Sequence, residues 1–424
     1  RLHPGVAEVF CTEGQSSHFF GYYDKCPIDT GGNHLLAHRT EFEGRPVTED
    51  DTAEVGHYEL DSGRWRSLGT TAAFNWQQGA MLQWLPPHKR TRVIYNDRED
   101  DRFVSVIVDI SSRERMTIPH PIYAVHPSGR YALTVNYERL YFCRPGYNYQ
   151  GVVKKQWDRP LLEGDGIFRV DLETGEKSLL IGTRQISKMG NVPDQARERY
   201  HWLEHMMWNP SGSRFAFLHR WDRPGGGHTT RLFTAGADGS DVYPFPETGF
   251  YSHMDWRTDT EFVIWTVATP LPARTPFYKK YFPFKTIARP IYRRVRDHLM
   301  PGPNDQQKPA NKCFVRMWDG SEKRRPVGRN TLTRNGHNSF SPVDNNLMLT
   351  DTYGDEDGYR HLMLYSFSSD KRTEIGKFYS PFNRSGYRCD LHPRWTHDGR
   401  RIVIDSAHAE DRRQVYVLEW KDPL

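Results

Sequence analysis

A short motif recurs along the chain and restricts the fold more than any other feature. It reads as a polar residue, two variable residues, an aromatic, then Pro or Asp and often Gly. The clear copies are HMMWNPSG from His205, HMDWRTD from His253, HNSFSPVD from His337 and HPRWTHDG from His392. Weaker copies are AVHPSG around Val125, MLQWLPP around Trp84 and YYDKCPIDTGG around Tyr22. Seven copies spread along the chain indicate a repeat architecture. Each copy leads into a β-rich run: HLLAHR (34–39), TRVIYND (91–97), RYALTVNY (130–137), RFAFLHR (214–220), EFVIWTV (261–267), NLMLTDT (346–352) and RIVIDSA (401–407). Further runs such as VGHYELDSG, FVSVIVDIS and GIFRVDLETG end in hairpin-turn chemistry. No long stretch carries helical periodicity. Four short strands per repeat, seven times, predict an all-β, seven-bladed β-propeller over residues 1–424 as a single domain. The last repeat offers strands only at 388–395, 400–406 and 413–419, so VAEVFCT (6–12) is expected to supply its fourth strand and close the ring.

The repeat register turns positions into places. The residues that open inner strands and those that close second strands meet on one face around the central channel. His205, His253, His337 and His392 open four successive blades there. Imidazole is the commonest metal ligand, so three or four converging histidines suit zinc or another divalent ion; Cys389, three residues before His392, is a candidate fourth ligand. The other reading is that they serve only as structural hydrogen-bond partners. The second-strand ends add His38-Arg39, Asn96-Asp97-Arg98, Asn136-Tyr137, His219-Arg220, Asp351 and Asp405, and His18 opens the first blade.

Two long insertions interrupt the blades, at about 138–163 and 268–311, and both are expected on the same face. Residues 265–312 hold ten Lys or Arg against two Asp, whereas the whole chain has a net charge of only +5. Tyr, Phe and Trp are interleaved with these cations. Rings stack on sugar faces and cations pair with carboxylate or sulfate, which predicts a groove for an acidic polysaccharide. No nucleic-acid motif is present, no run of 18 apolar residues marks a membrane span, and the five cysteines contain no CxxC pair. Nucleic acid and membrane are therefore not expected as partners, and a monomer is. Arg1 opens the sequence as the residue after a removed leader would, giving an expected secreted or periplasmic location.

The segments HFFGYYDKCPID…HLLAHR and QGAMLQW…YNDRED, with the blade-opening histidines, resemble the seven-bladed propeller polysaccharide lyases. The ulvan lyases are nearest in pattern and the oligogalacturonate lyases more distant. The resemblance implies β-elimination at a uronic acid, with His and Tyr as base and acid, an Arg near the carboxylate and a bound metal ion. It places the catalytic set on His18, His38, Arg98 and Tyr137, with Tyr141 or Tyr123 as alternatives to Tyr137. It places the metal, zinc first and calcium or manganese next, on His253, His337, His392 and Cys389. His205, His219, Arg220 and Gln78 are then expected to bind substrate. The rival functions are a non-catalytic propeller that binds an acidic glycan or a protein on this face, and a propeller hydrolase; the latter lacks a GxSxG nucleophile elbow.

Overall fold

The computed structural model describes residues 2–421 except 88–89, 191, 248, 269–311, 385 and 410. Seven four-stranded antiparallel sheets form the blades of a propeller. Blade one holds Ser17–Phe19, His34–Thr40, Ala53–Glu59 and Arg64–Thr71. The inner strands of blades two to six are Gln83–Trp84, Ala124–Val125, His201–Trp208, Tyr251–Trp256 and Asn338–Phe340. Blade seven combines Arg394–Trp395, Arg401–Ser406 and Gln414–Trp420 with the N-terminal Val6–Cys11. Its register runs from Val6 opposite Trp420 to Cys11 opposite Tyr416. The two ends of the chain thus close the ring, and no blade of the circle is left with an open gap.

The aromatic of the repeat has a physical role. The indole N–H of Trp84 donates to Pro27 O at 2.8 Å, that of Trp208 to Ala124 O at 3.1 Å, that of Trp256 to Met207 O at 3.1 Å and that of Trp395 to Ser339 O at 3.3 Å. In each case the ring fills the gap between blades while its single donor ties the inner strand to the preceding blade. A large apolar body with one polar handle is what a repeated blade–blade joint needs.

Blade three departs from the expected pattern. Its second strand stops at Thr134, and Asn136-Tyr137 does not end a strand. Instead the Asn136 side chain caps a helix, Tyr137–Cys143, by accepting from Arg139 N. Arg139 is buried, pairs with Asp165 at 3.1 Å, and donates to the carbonyls of Trp157, Arg159, Pro160 and His201. One guanidinium with five donors therefore folds the whole insertion back onto blades three and four. The second insertion, at 268–311, lies outside the described residues except for Ala268.

Candidate functional site

Blade one delivers two tyrosines into the channel. After Phe19 the chain turns at Gly21, whose φ of +123° is open to glycine, and where an added Cβ would lie 2.7 Å from the Gln78 carbonyl carbon. A buried ion pair holds this turn. Asp405 accepts from Phe20 N and Gly21 N at about 3.2 Å and pairs with Arg394 at 3.0 Å. Arg394 in turn donates to the carbonyls of Gly21 and Tyr22. Tyr23 spends its hydroxyl on Met254, donating to O at 2.8 Å and accepting from N at 3.0 Å. The Tyr22 hydroxyl is buried and has no hydrogen-bond partner.

Around Tyr22 stand the blade-opening histidines. The inner strands of blades four and five shift register between Glu204 and Met207 and between Tyr251 and Met254. Such bulges re-aim a side chain, and His205 takes a left-handed φ of +57° within the first. His392 is likewise left-handed, at +44°. Ring centroids of Tyr22 lie 5.4, 6.2 and 5.2 Å from those of His205, His337 and His392. His337 is 3.9 Å from His253 and 4.3 Å from His392. Burial, the other imidazoles and nearby Arg388 push His253 and His392 well below the ordinary imidazole range, so both are neutral.

His337, Asp390 and His392 each present a ligand atom, all within 4.8 Å of one another and all buried. Asp351 orients the two histidines. It accepts from His337 N at 2.7 Å, contacts His337 Nδ1 at 2.9 Å and accepts from His392 N at 3.2 Å. With Nδ1–H on a carboxylate, His337 turns an Nε2 lone pair inward, as carboxylate-supported metal ligands do. Nε2 of His337 and of His392 are both buried without a partner. Two unpartnered imidazole nitrogens and one carboxylate fit a divalent ion of the manganese or zinc type. The carboxylate is that of Asp390, not the thiol of Cys389, which burial pushes up to about 12. His253 stands beside this group and is not one of its three donors.

The opposite wall is cationic. Glu204 accepts from Arg144 at 3.1 Å and also from Arg220, so two guanidinium groups share one buried carboxylate. They hold it well below the usual carboxylate range despite burial. Arg220 Nε is buried and unpartnered, and His205 Nδ1 is 3.6 Å from Glu204, beyond hydrogen-bond length. Arg144 stacks on Tyr147 at 4.1 Å and Arg388 on Tyr353 at 5.1 Å. Burial and neighbouring phenols push Tyr22 well above 10, so it stays a neutral O–H donor.

The other expected residues lie elsewhere. His18 has Nδ1 2.9 Å from Gln414 and Nε2 2.9 Å from the Tyr58 hydroxyl, and joins blades one and seven. His38 accepts from Ala80 N at Nε2 (3.0 Å) and meets Phe19 O at Nδ1 (3.3 Å), joining blades one and two. Arg98 donates to Gln150 O and Glu49 O, bracing the blade-three insertion. Tyr137 stacks on Tyr149 at 4.4 Å and donates to Ile122 O; Tyr123 accepts from Gln78 at 2.7 Å and from His205 N. Gln78 thus reaches the site through Tyr123. His219 Nε2 is 2.9 Å from His201 Nδ1, within blade four.

His38 carries a stability prediction. Both its nitrogens are committed to neutral-form contacts, and burial lowers its pKa from 6.5 to about 4. The unfolded chain therefore takes up a proton in this window while the folded chain does not. Stability is fully present above 6.5 and is lost as pH falls toward 4, by at most about 3 kcal/mol from this residue. His38→Gln should flatten the acid side of a plot of urea midpoint against pH; an unchanged slope would contradict the assignment.

Tyr22, Asp390, Arg388, Arg144 and Glu204 are functional candidates that the register reading does not single out, whereas Asp351 and Arg220 stand among its second-strand ends. The D-x-H spacing of Asp390 and His392 is a usable signal, because it puts a carboxylate and an imidazole two residues apart on one loop before the inner strand of blade seven.

No protein-family model matches the chain, and no curated protein matches it. Among solved structures it is similar to an oligogalacturonate lyase in complex with manganese, with 15% identity, a TM-score of 0.61, and 98% of this chain and 93% of that chain covered. It is also similar to an oligogalacturonate lyase from Vibrio parahaemolyticus, with 13% identity, a TM-score of 0.60 and the same coverage. At these identities the likeness establishes the architecture: the chain is a seven-bladed β-propeller along nearly its whole length.

Proposed function

We propose that the chain is a lyase that cleaves a uronate-containing acidic glycan by β-elimination at the channel mouth. One observation carries the reading: the buried, unpartnered His337 and His392 nitrogens converge with the Asp390 carboxylate beside an unpartnered Tyr22 hydroxyl. That is a cation site facing a neutral proton donor, and elimination needs both.

His337, His392 and Asp390 would hold a divalent ion. Bound there, the ion supplies charge neutralisation to the uronate carboxylate and to the enolate-like charge that develops next to it. The proton to be removed sits alpha to that carboxylate, so its base must stand beside the metal ligands. His253 does, at 3.9 Å from His337, and it is neutral. Its ring nitrogens make only long contacts, 3.3 Å to Ser252 and 3.4 Å to Tyr353. As His253 takes the proton, the C–H electrons form the new double bond and the glycosidic C–O bond breaks. Tyr22 gives its proton to the departing oxygen. His205 and the Arg144–Arg220 wall bind the acidic chain. His253 thus moves from the ligand set expected from sequence to the base, and the acid from Tyr137 to Tyr22.

The test is a panel of acidic glycans read by the ultraviolet absorbance of an unsaturated product. Oligogalacturonate with manganese comes first, since both structural neighbours are named oligogalacturonate lyases and one of them is in complex with manganese; alginate, glycosaminoglycans and the ulvan and zinc of the sequence resemblance are further arms. Product on one uronate substrate, abolished by chelation, is expected. Binding without product on every arm would return the chain to the glycan-binding alternative. Asp351→Asn should weaken metal binding about 10–100-fold, by freeing the His337 tautomer, with folding retained.

A further inference from the structure

Arg388 occupies a position that the proposed chemistry leaves unexplained. Its Nε donates to Asp390, the carboxylate of the three-donor group. Its Nη2 donates to Gln77 Oε1 at 3.1 Å and to the Tyr147 hydroxyl at 3.3 Å. Gln77 returns a hydrogen bond to Arg388 O at 2.9 Å, and the guanidinium lies 5.1 Å from the Tyr353 ring. One side chain thus joins the metal group on blade seven, the loop before blade two and the blade-three insertion. It is partly open to solvent, with 18% of the side chain exposed against 1% for Asp390.

A divalent ion and a guanidinium that compete for one buried carboxylate repel each other. Asp390 keeps a second cation, Arg360, at 3.5 Å on its other oxygen, so it does not depend on Arg388 alone. Tyr147, Gln77 and Tyr353 would hold the Arg388 head at the mouth once its bond to Asp390 is given up.

We infer that Arg388 is an exchangeable counterion: it fills the cation site when the site is metal-free, and metal binding releases it to bind the anionic group of the incoming substrate. This rests on the metal reading above. It makes metal and substrate anion bind with positive coupling, each tightening the other by the same factor, and it makes Arg388 the residue that carries the coupling.

The experiment is titration calorimetry of the full chain with manganese alone, with digalacturonate alone and with each in the presence of the other, for wild type, Arg388→Gln and Arg388→Lys. In wild type, each ligand should tighten the other at least fivefold. In Arg388→Gln, manganese should bind at least as tightly as in wild type, digalacturonate should bind at least tenfold more weakly to the metal-loaded protein, and the coupling should vanish. Arg388→Lys keeps the charge and should restore part of the coupling. If Arg388→Gln binds manganese more weakly while melting normally, Arg388 only positions Asp390; the inference falls and the metal site stands. Equal digalacturonate affinity in wild type and variant also overturns it. If wild type binds no divalent ion, the metal reading and the inference fall together. A variant that melts early and binds neither ligand, with no rescue by Arg388→Lys, assigns Arg388 a structural role and likewise overturns it.

Discussion

Tyr22→Phe is expected to fold and melt like the wild type and to lose between about a hundredfold and ten-thousandfold of its turnover, the range of a positioned general acid. The two halves of that expectation have separate causes. The hydroxyl is buried and makes no hydrogen bond, so removing it breaks no contact that supports the fold and relieves an unsatisfied polar group. The ring, which packs against Tyr23 at 4.7 Å and against three imidazoles, is retained. Tyr23→Phe is the matched control. Its hydroxyl bonds Met254 on both sides, so its loss should cost stability first. The measurement is kcat for both variants beside their melting temperatures. A Tyr22→Phe enzyme with full turnover would remove Tyr22 from the chemistry, and a large fall in melting temperature would mean that its hydroxyl has a partner after all.

His392→Ala is expected to abolish stoichiometric divalent metal and to lower turnover by about a thousandfold or more, since an ion held there would supply several kcal/mol to the enolate-like charge of the proposed elimination. His392 is 2% exposed and its Nε2 has no protein partner, so the fold gains nothing from that nitrogen. Elemental analysis of the purified variant reads the metal, and the unsaturated-product assay reads the turnover. Cys389→Ser, at the residue just before Asp390, should keep its metal, because the thiol is outside the three-donor group and is held protonated by burial. Loss of metal in Cys389→Ser with retention in His392→Ala would reverse the ligand assignment.

The fold was legible because a propeller writes itself as a period. The motif tryptophans recur since each one ties its blade to the one before, and Val6–Cys11 was readable as the missing strand of blade seven since the last repeat runs out of chain. The blade-three helix was not legible. It is only seven residues long, and what makes it is the Asn136 cap and a buried Arg139 whose partners lie up to 62 residues away. The site was legible in part. Register brings His205, His253, His337 and His392 to one place, with bulges or left-handed backbone at His205, His253 and His392. Register cannot say which polar side chains at the same level are already committed. His18 and His38 look like catalytic imidazoles in the sequence, yet each has both nitrogens in contacts between blades. Tyr22 and Tyr23 are adjacent and identical, and only their surroundings separate an occupied hydroxyl from an unoccupied one.

The most direct measurement of the central claim is the mass of the products formed from a uronate oligosaccharide with manganese present. The account predicts two fragments whose masses sum to that of the substrate, one of them unsaturated, and neither fragment in the presence of chelator. Fragments that together carry one added water would show hydrolysis, and an intact oligosaccharide bound to the protein would show a binding propeller; either result would contradict elimination at this site.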